Sequence, residues 1–256
     1  MAAPITLADQ LQADGPLYTA WVGIPDPLVA EMCARAGFDN VTLDMQHGFQ
    51  DYASVMRGIA AVKLAQKPVI VRVPVGDFSM ASRALDAGAD AVIAPMINSA
   101  QDAHDFAESM KFPPVGGRSW GPPRAMMLNG YTDLNTYLAE ANNTTLAIAM
   151  VETPQAIAVA DDILSTPGID GIFMGPSDLS VTLSQGSQYA PRGEETNETI
   201  QMLAAKAHDA GKFAASFALS PDHAKDLAGF GIDLMALGTD SGYIKLGAET
   251  LLSQVR

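Results

Sequence analysis

The chain has 256 residues, with 29 acidic against 15 basic side chains, a formal charge of −14, 48% apolar residues and one cysteine. An isoelectric point near 4.4 argues against nucleic acid or an anionic membrane as partner, since both need a basic face, and 17% charged residues are too few for a disordered or coiled-coil chain. With Cys33 alone there is no internal disulfide and no two-cysteine metal site, which fits a reducing, cytoplasmic setting.

Residues 1–15 read as a short amphipathic helix and lead-in, not as an export signal or membrane anchor, with Thr6 and Asp9 at capping-box spacing. Apolar runs then alternate with helical stretches. Strands are expected over residues 18–24, 41–44, 68–73, 91–97, 144–152, 171–175, 212–218 and 234–238. Helices are expected over residues 27–36, 52–64, 79–87, 100–110, 155–164, 195–210 and 221–229. Four of the strands follow a Gly-x-Asp triplet: Gly37-Phe38-Asp39, Gly88-Ala89-Asp90, Gly168-Ile169-Asp170 and Gly231-Ile232-Asp233. Glycine just past a helix supplies the left-handed position there, so each triplet marks a helix-to-strand junction. Eight βα units in this length predict a single-domain (β/α)8 TIM barrel over residues 1–256 rather than an open doubly wound sheet. Two segments break the rhythm: the long connection 112–143 before the fifth strand, and the polar stretch 184–197.

In such a barrel the chemistry collects where strands end. The residues there are Trp21 with Gly23, the run Asp44-Met45-Gln46-His47-Gly48, Arg72, Glu152, Gly175-Pro176-Ser177-Asp178, and Gly238-Thr239-Asp240. All seven lysines fall on helices or at strand starts, which argues against a Schiff-base mechanism. Glu152 and Asp178 stand on neighbouring strands, an oxygen-rich setting suited to Mg²⁺ or Mn²⁺ and a substrate with two adjacent oxygens. His104, His208 and His223 lie in helical stretches and read as surface residues. His47 alone follows a strand at the catalytic end; it is a candidate general base whose imidazole Asp44 can orient.

The runs AGFDNVTLDMQHG, RALDAGADAVIAPMINSAQDA, FPPVGGRS, AMVETPQA and GIDGIFMGPSDLS together resemble the 4-hydroxy-2-oxoheptanedioate aldolase family, the metal-dependent class II pyruvate aldolases, over roughly residues 15–245. The resemblance implies a (β/α)8 barrel, a divalent metal (Mg²⁺ or Mn²⁺, with Co²⁺ a further option), and a homohexamer of dimers that exchange their C-terminal helix. Residue by residue it implies that Glu152 and Asp178 are the metal ligands and that Arg72 holds the pyruvyl oxygen and stabilises an enolate. It makes His47 the base and Asp44 the carboxylate paired with it. Gly175, Ser177 and Asp178 form the backbone site for the substrate carboxylate, Trp21 lines the pocket, and Asp86 approaches a neighbouring subunit's site. The implied reaction cleaves or forms the C3–C4 bond of a 4-hydroxy-2-oxo acid, giving pyruvate or hydroxypyruvate and an aldehyde.

Two positions depart from the family pattern: Gln46 where many members have Glu, and Met150 where many have Gln. The MQHG and RSWGPPR wording is most like the members that handle hydroxypyruvate. Simpler roles stand beside these. Glu152 can serve its loop amides, Asp178 can cap a helix, Arg72 can form an internal salt bridge, His47 can be a packed core residue and Asp44 can order its own loop. Trp21 and Phe217 can be packing residues. Arg118 and Arg124 lie at the wrong end of their own barrel, so Arg124 can reach an aldehyde substrate only in a neighbouring protomer. The competing functions are a CoA-ester lyase of the same superfamily, for which this acidic chain offers few basic groups, and a non-catalytic oxo-acid-binding barrel, which needs no base.

Overall fold

Eight parallel strands close on themselves in the order β1 to β8 in the computed structural model, which describes residues 6–12 and 15–256. The strands are β1 (Leu17–Val22), β2 (Asn40–Asp44), β3 (Val69–Arg72), β4 (Ala91–Ala94), β5 (Leu146–Met150), β6 (Gly171–Met174), β7 (Phe213–Ala218) and β8 (Leu234–Thr239). Two apolar sets alternate along them, as the two-residue strand period demands. Ile70, Ala91, Ile93, Leu146, Ile148, Phe173, Ala215, Leu234 and Ala236 fill the interior. Val41, Leu43, Val69, Val71, Val92, Ala147, Ala149, Ile172 and Met235 belong to the outer layer under the helices.

The first helix, α1 (Leu7–Gln10), is capped by Thr6 and Asp9 in the expected box, and its Leu7 is buried with the interior set. The remainder of the expected 1–15 segment, residues 1–5 and 13–14, lies outside the described residues. Around the barrel run α2 (Pro27–Arg35), α3 (Tyr52–Leu64), α4 (Phe78–Ala87), α5 (Ala100–Met110), α6 (Pro123–Asn129) and α7 (Leu134–Thr144). They are followed by α8 (Pro154–Ala158), α9 (Ala160–Ser165), α10 (Pro176–Leu183), α11 (Glu194–Asp209), α12 (Pro221–Gly229) and α13 (Asp240–Ser253). The expected helix 155–164 is two helices, because Val159 sits at φ −116°, ψ 20° and interrupts the helical run. The connection 112–143 carries α6 and α7, which bury Phe112, Ala125, Met126, Tyr137 and Ala141 in a core of their own. Segment 184–197 follows the end of α10 with turns and irregular chain over 184–193 and then enters α11.

The four Gly-x-Asp triplets make one repeated device. Asp39 gives its N–H to the Tyr18 carbonyl at 3.0 Å and takes the Tyr18 N–H on its carboxylate at 2.8 Å. Asp90 does the same with Val69, Asp170 with Ala147 and Asp233 with Ala214. Each acidic residue thus clasps an even strand to the odd strand before it. Its carbonyl then accepts from the next odd strand: Leu146 on Asp90, Phe213 on Asp170 and Leu17 on Asp233. At Asp39 that donor position is held by Pro68, which has no N–H, and the Gln10 side-chain amide donates there instead at 3.2 Å.

Candidate active site

The strand ends bring Trp21, His47, Arg72, Met150, Phe173, Gly175, Pro176, Ser177, Asp178, Phe217 and Leu219 around one cavity of about 170 Å³. Trp21, Arg72, Met150, Phe173 and Phe217 are inward positions on their strands, and Gly175 and Leu219 continue the two-residue period one residue past the ends of β6 and β7. The same period extends β5 past Met150 to Glu152, which is 1% exposed.

Asp44 and Arg72 stand opposite each other in the β2–β3 register and form a buried fork, Nε to Oδ1 at 2.8 Å and Nη2 to Oδ2 at 2.7 Å. The Trp21 indole donates to the same carboxylate at 3.2 Å, and the guanidinium lies 4.8 Å from the Trp21 ring centre. Burial alone raises the Asp44 carboxyl; the hydrogen bonds and charge of Arg72, with the Gln46 amide and the Trp21 indole, outweigh it and leave the group below its ordinary value. The expected pairing of Asp44 with the His47 imidazole is therefore corrected. Asp44 accepts the His47 backbone N–H at 3.4 Å, its oxygens being turned to Arg72, while the His47 ring stands at the cavity wall.

Glu152 takes the Met96 N–H on Oε1 at 3.0 Å, and its Oε2 is buried without a partner. A side chain at position 175 would begin 2.7 Å from Glu152 Oε2 and 3.7 Å from Asp178 Oδ2, so glycine leaves open the space that both carboxylates face. Burial, reinforced by the Asp178 charge, pushes Glu152 up to about 7. An orphaned buried oxygen beside a second carboxylate and an unfilled cradle fit a hard divalent cation. Among the described residues no three His, Cys, Asp or Glu side chains cluster, so such a cation would complete its shell with water and substrate oxygens. Thr182, one helical turn beyond Asp178 on α10, donates to the Glu152 carbonyl at 2.9 Å and ties the two carboxylates' elements together. Gly175 begins α10 without a side-chain cap, leaving the first-turn amides of Ser177 and Asp178 available to an anion. The Ser177 hydroxyl lies 3.0 Å from that of Tyr189.

Asp86 and Arg124 are not brought to this cavity. Asp86 sits near the C-terminal end of α4, where it accepts from Arg118 at 2.6 Å. Burial raises its carboxyl, only partly offset by Arg118. The Arg118 side chain is wholly buried, with its guanidinium 4.6 Å from the Phe112 ring centre. Arg124 belongs to α6, and its Nε is buried without a partner. None of the seven lysines lines the cavity. His104 and His208 are exposed as expected, but His223 is not. It is fully buried at the start of α12, its Nδ1 accepting the Leu219 N–H at 3.3 Å and its own N–H donating to the capping Ser220 hydroxyl at 3.2 Å. Phe217 does line the cavity, edge-on to Trp21 with ring centres 5.6 Å apart. The Met96 amide and the Thr182 hydroxyl have no counterpart in the sequence reading. Phe173 and Leu219 also escape it, although the two-residue strand period points to both.

Residues 17–245 match the family described as HpcH/HpaI aldolase/citrate lyase. A hydroxypyruvate/pyruvate aldolase of Rhizorhabdus wittichii is 34% identical over 241 residues, 94% of each chain. A 4-hydroxy-2-oxo-heptane-1,7-dioate aldolase of Salmonella arizonae is 30% identical over 248 residues, 96% of this chain and 92% of that protein. The crystal structure of an HpcH/HpaI aldolase/citrate lyase family protein from Burkholderia cenocepacia superposes with a TM-score of 0.86 over 98% of both chains at 28% identity. With its closed barrel and its strand-end carboxylates, the chain belongs to the HpcH/HpaI aldolase/citrate lyase family.

Proposed function

We propose that this chain is a divalent-metal-dependent aldolase that forms or cleaves the C3–C4 bond of 4-hydroxy-2-oxo acids, giving pyruvate or hydroxypyruvate and an aldehyde. The observation that carries the reading is the buried Glu152 oxygen without a partner, facing the Asp178 carboxylate across Gly175. The names of the relatives point the same way. Glu152 and Asp178 would hold Mg²⁺ or Mn²⁺, with Co²⁺ a further option; the cation would supply positive charge to the oxygens of an oxo acid.

Arg72, fixed by Asp44 and Trp21, directs its charge to the oxygen on which negative charge develops. The first-turn amides of α10, at Ser177 and Asp178, receive the substrate carboxylate. In cleavage His47 takes the proton of the C4 hydroxyl, directly or through a water; in synthesis it returns that proton to the new alkoxide. Trp21, Phe173, Phe217 and Leu219 wall the cavity with apolar surface, which limits water at the carbanion carbon. Among the described residues Arg72 is the one arginine or lysine on the cavity wall, which suits a small oxo acid better than a nucleotide-bearing thioester.

Asp86 and Arg124 act across a subunit interface, Arg124 on the polar end of the aldehyde in a neighbouring protomer. The assembly is a homohexamer of dimers that exchange α13, and its setting is the cytoplasm. Every residue from Ile244 to Arg256 is exposed, Ile244 by 59% and Leu251 by 68%, so α13 leaves the barrel after its first turn and offers an apolar face to a second copy. The test of the activity is deuterium exchange into the methyl group of pyruvate. Exchange is expected with Mg²⁺ or Mn²⁺, not after chelation, and not in Glu152→Gln. Absence of exchange with every divalent metal overturns the reading.

A further inference from the structure

The Met96 amide that serves Glu152 belongs to a residue with φ +57°, a left-handed conformation that an unbranched non-glycine side chain adopts at a cost. What holds it there is a run of hydrogen bonds with one direction throughout. The Ala156 N–H donates to Thr153 Oγ1 at 3.1 Å, so the Thr153 hydroxyl hydrogen is free to donate onward, and it does so to Asn98 Oδ1 at 2.5 Å. That contact places the Asn98 amide nitrogen against the Met96 carbonyl, which can only accept, at 3.1 Å. The Met96 N–H then points to Glu152 Oε1 at 3.0 Å. Asn98 is pinned in turn by its own N–H on Asp102 Oδ2 at 3.1 Å, at the start of α5. Each link polarises the next. The last one occupies a single oxygen of Glu152, leaving the other, Oε2, without a partner beside Asp178.

We propose that Asn98 is a positioning residue for the metal site: by holding Met96 left-handed it commits Glu152 Oε1 to the backbone and reserves Oε2 for the cation. The inference rests on Glu152 being a metal ligand. Thr153 is the anchor of Asn98, and Met96 acts through its backbone alone. Groups that orient metal ligands from outside the coordination shell commonly change affinity by about 10–100-fold when removed.

The test is the dissociation constant for Mn²⁺, read from the electron paramagnetic resonance signal of the free ion over the intact protein. Asn98→Ala is expected to weaken Mn²⁺ about tenfold. Glycine takes φ +57° without steric cost, so adding Met96→Gly to Asn98→Ala is expected to restore affinity to within about threefold of the parent, a rescue that a general packing defect would not show. Asn98→Ala binding Mn²⁺ as tightly as the parent overturns the proposal, as does a double variant no tighter than Asn98→Ala. Thr153→Val, which removes the anchoring hydroxyl, is held to the same tenfold criterion and decides the matter if Asn98→Ala does not fold. In the parallel control Glu152→Gln must lose Mn²⁺. If it binds like the parent, the metal reading of Glu152 itself fails and takes this proposal with it; if it loses Mn²⁺ while Asn98→Ala does not, only the role of Asn98 falls.

Discussion

Glu152 is the residue on which pH acts most directly. Pushed from its ordinary 4.5 to about 7 by burial and then by Asp178, it keeps a proton in the folded, metal-free protein over a range where the unfolded chain has lost it. The folded state then binds more protons, so this group's contribution to stability falls as pH rises from 4.5 towards 7. On the proposed reading of Glu152 as a metal ligand, a cation has to displace that proton. Mn²⁺ affinity is therefore expected to rise about tenfold per pH unit below roughly pH 7 and to level off above it. Calorimetric titration of the metal-free protein across that range checks this, and a flat profile contradicts it. At this scale the sequence makes strand-end residues legible: Trp21, His47, Arg72, Gly175, Ser177 and Asp178 do meet at one cavity, with Glu152 beneath them. What it hides is who faces whom. Asp44 meets Arg72 because β2 and β3 pair in that register, and no local spacing reveals the register of two strands 28 residues apart. The Met96 amide is hidden for a different reason, since a backbone N–H carries no residue-type signature.

At the scale of elements, the acidic clasps give unequal predictions for chemically equal residues. Asp90 is buried and holds both the Val69 N–H and the buried Lys63 ammonium at 2.7 Å. Asp39 holds the Tyr18 N–H, and among the described residues no Lys, Arg or His side chain pairs with it. Removing one member of a buried pair leaves a charge without its partner, so Asp90→Ala is expected to cost about 3–5 kcal/mol. Asp39→Ala, which strands one backbone donor, is expected to cost about 1–2 kcal/mol. Urea unfolding of the two variants decides between this ordering and equal losses. The junctions themselves were legible from Gly-x-Asp, because a left-handed glycine after a helix is a local requirement. The clasp was not, since the N–H it captures lies some 20 residues upstream. The apolar runs 91–97 and 144–152 outlast their strands: the β4 ladder ends at Ala94 because Pro95 follows, and β5 at Met150, though apolar composition continues past both.

At the scale of the whole molecule, the barrel was readable from eight alternations of apolar run and helical stretch, whereas the proposed association rests on an apolar face that stays uncovered. Leu28 and Met32 on α2 are 60% and 63% exposed, and α13 carries Ile244, Leu246, Leu251 and Leu252 away from its own barrel. Replacing Ile244 and Leu251 together with glutamate is expected to shift the protein to smaller species in light scattering while its helical circular dichroism is largely kept. An unchanged mass contradicts a role for α13 in association.

At the strand starts the acidic clasps join β1 to β2, β3 to β4, β5 to β6 and β7 to β8, and among the described residues none of these four carboxylates takes a backbone N–H from the neighbouring couple. Both irregular segments fall at those seams: 112–143 lies between β4 and β5, and 184–193 between β6 and β7. Glu152 and Asp178 follow the two members of a single couple. A barrel assembled this way is modular in quarters. Insertions can lengthen or reshape its seams while the spacing of the two acids proposed to hold the metal is set by the pairing within one couple.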